Sequence, residues 1–141
     1  MADQHDIEAL ADSLSASADA LHAHLMRALR QPAPGGAPAM SQGAAQALFE
    51  NEVLLRQRAN GLYLDSARLA AAGLDGAQQQ LLELTRRAQD AIARIDRLKD
   101  MIDLTAELLS LGAAIATGKP DRLAAPLEKL KHHLDTLPAP G

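Results

Sequence analysis

The feature that most constrains this chain is an apolar repeat running through residues 75–117. With Leu81 taken as a heptad a position, the a series is Leu81, Ala88, Ile95, Ile102, Leu109 and Ala116, and the d series is Leu84, Ala91, Leu98, Thr105 and Gly112. An average spacing of about 3.5 residues, kept over about five heptads, is typical of a helix that supercoils against partner helices. The repeat therefore predicts one continuous helix on the order of 60 Å long.

The rest of the composition also favours helices. Alanine and leucine fill roughly two fifths of the chain, and both are good helix formers. Residues that favour strands are scarce: the chain has one Phe, one Tyr and no Trp, and Val53 is its single valine. We predict an all-α fold, an antiparallel helical bundle of three long helices plus a short C-terminal helix. This bundle fills a single domain over residues 1–141.

The breaks between the helices are marked by glycine and proline. Residues 3–29 carry an amphipathic first helix, and the Pro/Gly-rich residues 31–43 predict a flexible linker. A second helix is expected from Ser41 or Gly43 to residue 72, followed by a tight turn over residues 73–76. The last helix lies within residues 121–137, where Pro126 either opens it or kinks it, and residues 138–141 form a frayed tail.

Charge and hydropathy argue against several kinds of partner. The net charge is −4 and tryptophan is absent, so the chain lacks the cationic patch and stacking residues of nucleic-acid binders. Its longest apolar run, residues 108–116, is interrupted by Ser110 and is far shorter than the ~20 residues that span a bilayer. Disulfides are excluded because the chain has no cysteine. We expect a soluble cytoplasmic protein, and the Ala/Arg/Gly/Pro bias suggests a GC-rich bacterial genome.

The polar residues do not form a recognisable catalytic or metal motif. His22/His24 and His132/His133 are spaced so that neither pair can chelate from one helix face, although His24 with His132 or His133 across two helices is conceivable. An acidic row, Asp96, Asp100, Asp103 and Glu107, falls on heptad positions that usually face water. We therefore predict a protein that is not an enzyme and that has no metal and no cofactor.

Glu52 interrupts the apolar stripe of the second helix. One interpretation places it at the edge of the stripe, paired with Arg56 one turn later, which is worth a few tenths of a kcal/mol. The other makes it a buried polar group that fixes register or receives a partner. We favour the first, because an unpaired buried carboxylate is costly.

Residues 104–116 are apolar on nearly every side, so this part of the long helix needs neighbours on every side. We predict that Leu104, Leu108, Leu111 and Ile115 contact a partner. The unequal helix lengths leave part of the long helix uncovered, which predicts a homodimer. If the helix instead breaks near residues 99–101, a compact monomer becomes possible.

Residues 60–64, Asn-Gly-Leu-Tyr-Leu, resemble an Asn-Gly-hydrophobic stretch of flagellar export chaperones, which are small helical proteins. This likeness over five of 141 residues assigns no family.

For function, we expect a helical protein-protein interaction module, such as an adaptor, a secretion chaperone or an assembly factor, that binds an unidentified protein partner through apolar helix faces. An amphipathic coat on lipid or granule surfaces is the first alternative, although the chain is poor in the Lys, Arg and aromatic anchors of membrane-surface helices. A small-ligand sensor with its pocket between helices is the second.

Overall fold

The structure, a computed structural model, describes residues 3–30, 41–74, 76–95 and 97–137. Within these ranges the chain forms six α-helices and no strand. The helices are α1 (Gln4–Arg30), α2 (Gln42–Leu64), α3 (Ser66–Ala72), α4 (Gln78–Arg94), α5 (Leu98–Ala116) and α6 (Ala124–Thr136). The all-α prediction is confirmed, but the number of helices is larger than we expected.

The first two helices form an antiparallel pair. Arg56 Nη1 of α2 lies 2.8 Å from Asp19 Oδ1 of α1, and one turn earlier in α2 Glu52 Oε1 lies 3.0 Å from His22 Nδ1. The predicted start of α2 is confirmed, since the Ser41 hydroxyl accepts a hydrogen bond of 3.1 Å from the Ala44 N–H. Such caps satisfy one of the N–H groups that a helix start leaves unpaired.

The second predicted helix continues to residue 72, but with an interruption. Asp65 leaves helical geometry, which divides the segment into α2 and α3. Backbone hydrogen bonds still cross the junction, from Asp65 N–H to Gly61 O at 3.0 Å and from Leu69 N–H to Asp65 O at 2.9 Å. The two helices therefore follow one another as one interrupted helical segment. As predicted, a glycine ends it: Gly73 has a φ of 84°.

The continuous helix predicted over residues 75–117 is wrong. Helical geometry ends at Arg94, Ile95 and Arg97 adopt extended backbone with ψ of 134° and 120°, and α5 starts at Leu98. The interruption lies a few residues before residues 99–101, where a break would allow a compact monomer. It divides the heptad repeat between two helices that run in different directions.

Contacts with α2 and α3 fix the direction of α5. Asn51 Nδ2 donates to Thr105 Oγ1 at 2.7 Å, and seven residues later in both helices the Arg58 side chain lies over Gly112. α5 therefore runs parallel to α2, and its end reaches α3, where Arg68 Nη2 donates to Ala116 O at 3.3 Å. Since α4 starts close to the end of α3, the chain runs away from this point along α4 and returns along α5.

The reversal changes which side of the repeat is buried. In α4 the heptad residues Leu81, Leu84 and Ala88 are buried, as predicted. In α5 the a residues Ile102, Leu109 and Ala116 are only half-buried. The fully covered side chains of α5 include Met101, Leu104, Leu108 and Leu111. The reversal after α4 allows α2 and α6 of the same chain to cover this second set. It removes from water apolar area that a continuous helix would leave exposed.

The length argument for a homodimer required an uncovered continuous helix, so it no longer applies. The homodimer itself stays a prediction. The predicted 31–43 linker and 138–141 tail lie outside the described residues, except that Ser41, Gln42 and Gly43 belong to the start of α2. Pro126 falls in the first turn of α6, as one of the two alternatives required.

A distance measurement distinguishes the observed reversal between α4 and α5 from the continuous helix predicted over residues 75–117. The chain has no cysteine, so spin labels can be placed on Gln79→Cys and Lys119→Cys, two exposed positions. In a continuous helix the labels would lie about 60 Å apart. We expect a pulsed electron-electron dipolar distance below about 30 Å, because residues 72–78 can span at most ~20 Å and Gly118 packs near Ala72. A distribution centred above about 50 Å would contradict the reversal and support the continuous helix.

Candidate protein-binding surface

The four residues predicted to contact a partner lie inside the chain's own core. Leu104, Leu108, Leu111 and Ile115 are each at most 2% exposed. The helix that carries them packs on α2 at one side and on α6 at the other. Their use by a partner stays a prediction, and in this structure it requires that one of these helices first move away.

Most of the large exposed apolar side chains of the described residues lie instead on α2. Leu64 is 87% exposed, Val53 is 50% exposed and Phe49 is 40% exposed. Phe49 and Val53 are the chain's single phenylalanine and single valine. Both residue types are usually buried in a soluble protein. Here they lie opposite the buried side of α2, which consists of Leu48, Glu52, Leu55, Ala59 and Leu62.

These three residues belong to a longer surface without charge. At about 100° per residue, seven residues of α2 fall within a sector of about 80°. They are Gln42, Gln46, Phe49, Val53, Gln57, Asn60 and Leu64, which we call the uncharged strip, and all seven are exposed. None of the seven is charged, and the sector is bordered by Glu50 on one side and by Arg56 on the other. The strip extends along the full length of α2.

The edge of the strip that faces α1 is held by ionic and hydrogen-bonded contacts. Glu52 is buried and binds two partners: its Oε1 lies 3.0 Å from His22 Nδ1, and its Oε2 accepts from Arg56 Nε at 3.2 Å. Arg56 also donates to Asp19 Oδ1 at 2.8 Å, and this hydrogen bond raises the pKa of Arg56. The predicted Glu52–Arg56 pair is thus present, but Glu52 is buried, which the favoured interpretation did not expect.

Later in α2, Tyr63 makes a further contact with α1 at the same edge of the strip. Its hydroxyl donates a hydrogen bond to the Asp12 carboxylate of α1, and this bond raises the pKa of Tyr63 to about 12. Together with the Glu52 cluster, it fixes the rotation of α2 about its own axis. The uncharged strip therefore lies on a helix whose orientation is fixed by contacts with α1.

On its other side, α2 forms a shallow groove with α5. The groove encloses about 500 Å³ and is lined by Leu54, Gln57 and Arg58 of α2 and by Leu109, Ser110 and Ala113 of α5. Leu54 is 47% exposed. The Asn51–Thr105 hydrogen bond sets the spacing of the two helices near one end of the groove. Thr105, a d position of the predicted repeat, is completely buried there.

The acidic row is predicted to face water, but part of it is covered by α6. Asp96 lies outside the described residues, but Glu107 Oε1 lies 2.7 Å from His133 Nδ1 of α6, and Asp100 Oδ1 lies 3.6 Å from His133 Nε2. The reason is the reversal after α4, which turns this side of α5 toward α6. Because the two carboxylates contact opposite nitrogens of one ring, they cannot bind one ion together with it.

No group of three or more His, Asp or Glu side chains in the described ranges is arranged to hold a metal ion. His22 contacts Glu52, and His133 contacts Glu107 and Asp100, so the roles of these histidines, which the sequence did not reveal, are contacts between helices. None of the described helices is long and apolar enough to cross a membrane.

Sequence reasoning missed the uncharged strip although its signal is local. Placing residues 42–64 on a helical wheel is enough to separate the seven uncharged positions from the buried stripe. The prediction of each helix rested on its best apolar stripe, which leaves the opposite side of α2 unassigned. Comparison with known proteins adds no assignment: no family model, curated protein or solved structure matches this chain.

Proposed function

We propose that this protein is a non-catalytic interaction module that binds an apolar helix of another protein along the uncharged strip of α2. The observation that carries the proposal is the composition of that strip, which combines three large exposed apolar side chains with four amide side chains and no charge. Depletion of charged residues and enrichment of aromatic and aliphatic anchors are characteristic of the centre of protein-protein interfaces.

The same composition favours a protein over a lipid surface. Helices that lie on membranes carry lysine or arginine beside their apolar residues, which attracts anionic headgroups. The polar members of the strip are Gln42, Gln46, Gln57 and Asn60. Amide side chains both donate and accept hydrogen bonds, so they can pair with the polar groups of a partner helix without a charge being buried.

The geometry of the strip suits a helical partner. Phe49 and Val53 are one turn apart, and Leu64 follows three turns later, so the strip extends for about 33 Å between residues 42 and 64. A partner helix with residues at i, i+3, i+4 and i+7 spacing presents a matching row. Because α2 is already held by α1 through Glu52 and Tyr63, little ordering of the strip is needed when a partner binds.

The experiment is site-specific photo-crosslinking in the source cells. A benzoylphenylalanine is placed at Val53 in the strip, and a matched control is placed at Glu83, an exposed position of α4. We expect a discrete crosslinked product from position 53 that contains one other protein, identified by mass spectrometry, and no such product from position 83. Adding Leu64→Asp, which leaves the core untouched because Leu64 is 87% exposed, is expected to remove the product.

Three outcomes contradict the proposal. Equal products from positions 53 and 83 would show that the strip has no preference for a partner. If every product from position 53 contained only copies of this chain and no other protein, the strip would not bind a different protein. Cosedimentation of the purified protein with phosphatidylcholine/phosphatidylglycerol vesicles, lost in the Val53→Asp and Leu64→Asp double variant, would favour a lipid surface.

A further inference from the structure

The side of α2 that borders the groove has a pattern of its own. One row of residues is centred on Leu54, with Glu50 and Arg58 four residues before and after it, and with Ala47 and Gly61 seven residues before and after it. This row, which we call the Leu54 row, lies about 100° around α2 from the middle of the uncharged strip. The outer pair of the row, Ala47 and Gly61, consists of two small residues, and the inner pair, Glu50 and Arg58, carries opposite charges.

We propose that the Leu54 row is the contact with a second copy of this chain, in which the two α2 helices pack antiparallel across a twofold axis at Leu54. A twofold interface uses the same surface on both subunits, so each residue before the axis meets a residue after it. The inference goes beyond the proposed function, because it concerns the row of α2 residues that borders the uncharged strip, with Gln57 of the strip also lining the groove, and its charge pairs do not involve a strip residue.

Charge is the first argument for a second copy as the occupant. In an antiparallel pair centred on Leu54, Glu50 lies opposite the partner subunit's Arg58, and Arg58 lies opposite the partner subunit's Glu50. The contact therefore contains two identical pairs of opposite charge. Among the described residues of one chain, neither Glu50 nor Arg58 takes part in an ion pair. Both charges thus remain available for the second subunit.

Shape is the second argument. Leu54 is 47% exposed at the rim of the groove of about 500 Å³, next to the half-buried Leu109 of α5. A leucine on the twofold axis contacts its own counterpart, and the groove of each subunit receives the adjacent turn of the other. This removes from water apolar surface that one chain alone leaves exposed.

Gly61 is the third argument. A glycine inside a helix costs stability relative to alanine, yet among the described residues a Cβ added at Gly61 would meet no atom within 4 Å outside the backbone of its own helix and its two chain neighbours. Packing within one chain therefore does not require this glycine. In the proposed pair, Gly61 lies opposite the partner subunit's Ala47, where two small residues allow the helix backbones to approach closely.

The experiment measures self-association by light scattering and sedimentation equilibrium over a wide range of protein concentration. We expect a reversible dimer of twice the 14.9 kDa chain. Each single reversal, Glu50→Arg or Arg58→Glu, places like charges at both symmetric contacts. We expect each to weaken the dimer about tenfold in Kd, in line with the small energies of exposed ion pairs.

Mixing the two variants provides the decisive control. Glu50→Arg mixed with Arg58→Glu restores opposite charges at both contacts, so we expect a heterodimer with a Kd close to that of the unmodified protein. This rescue cannot come from packing within one chain, although the Arg58 side chain also lies over Gly112. Leu64→Gln, a change in the uncharged strip, is expected to leave the dimer Kd unchanged.

A protein that is monomeric at every concentration overturns the inference, and so does a dimer whose Kd is unaffected by the reversals. Failure to form the mixed heterodimer also overturns it. None of these results would bear on a crosslink from Val53 to a different protein, so the inference and the proposed function fail separately.

Discussion

Replacing Leu108 with alanine is expected to reduce the free energy of unfolding by about 2–5 kcal/mol, whereas Leu109→Ala should cost less than about 1.5 kcal/mol. Leu108 is completely buried in the core, while its neighbour Leu109 is half-buried at the rim of the groove. The larger loss combines the transfer free energy of the deleted atoms with the cavity they leave. Urea unfolding of both variants, followed by circular dichroism, measures the difference.

The two substitutions are matched because they remove the same atoms from consecutive positions of one helix. In the continuous supercoil predicted from the heptad repeat, Leu109 is an a position of the seam, whereas Leu108 lies outside it and is predicted to contact a partner, so in the protein alone Leu109→Ala would be the more damaging change. Equal losses, or a larger loss for Leu109→Ala, would contradict the observed burial of α5. The m-values should agree, since a changed m-value would indicate an altered unfolded state.

Replacing Gly112 with leucine is expected to cost about 3 kcal/mol or more, the upper end of the range for overpacked cores. A Cβ at Gly112 would lie 2.8 Å from Arg58 Cγ and 3.2 Å from Leu14 Cδ1. The remaining atoms of leucine would force α5 away from α1 and α2. Thermal and urea unfolding measure the loss.

Gly61→Leu is the matched control, because it makes the same change inside α2 at a position where a Cβ meets no other segment of the described structure within 4 Å. We expect Gly61→Leu to stabilise the monomer by up to about 1 kcal/mol through higher helix propensity. Combining Gly112→Leu with Arg58→Ala should recover part of the loss, because it removes the nearest obstacle. If both glycine variants change stability alike, α5 does not pack closely on Arg58 and Leu14.

Much of the local structure was predictable because it depends on neighbouring residues. The start of α2 near Ser41 and the glycine at the end of α3 were predicted, and the first-turn position of Pro126 in α6 was one of two predicted alternatives; each follows from backbone geometry within a few residues. The buried side of α1 also follows from spacing alone, since Leu10, Leu14 and Leu21 repeat at helical intervals.

The reversal between α4 and α5 could not be predicted in this way. Residues 95–97 contain neither glycine nor proline, and the heptad repeat continues through them without a change of phase. The burial of Glu52 and the contact of Glu107 with His133 were missed for a related reason. Each depends on a partner residue 26 or more positions away along the chain, His22 and His133.

The sequence by itself determined that this chain is helical, where α1 and α6 lie, where α2 begins and where α3 ends. It also determined that one face of residues 42–64 carries no charge. These properties depend on spacing and on the intrinsic preferences of consecutive residues. Only the tertiary structure decided that residues 75–117 fold back, that Leu108 rather than Leu109 is buried, and that the uncharged strip faces outward. These outcomes depend on which apolar faces cover one another, and that is a property of contacts between distant segments.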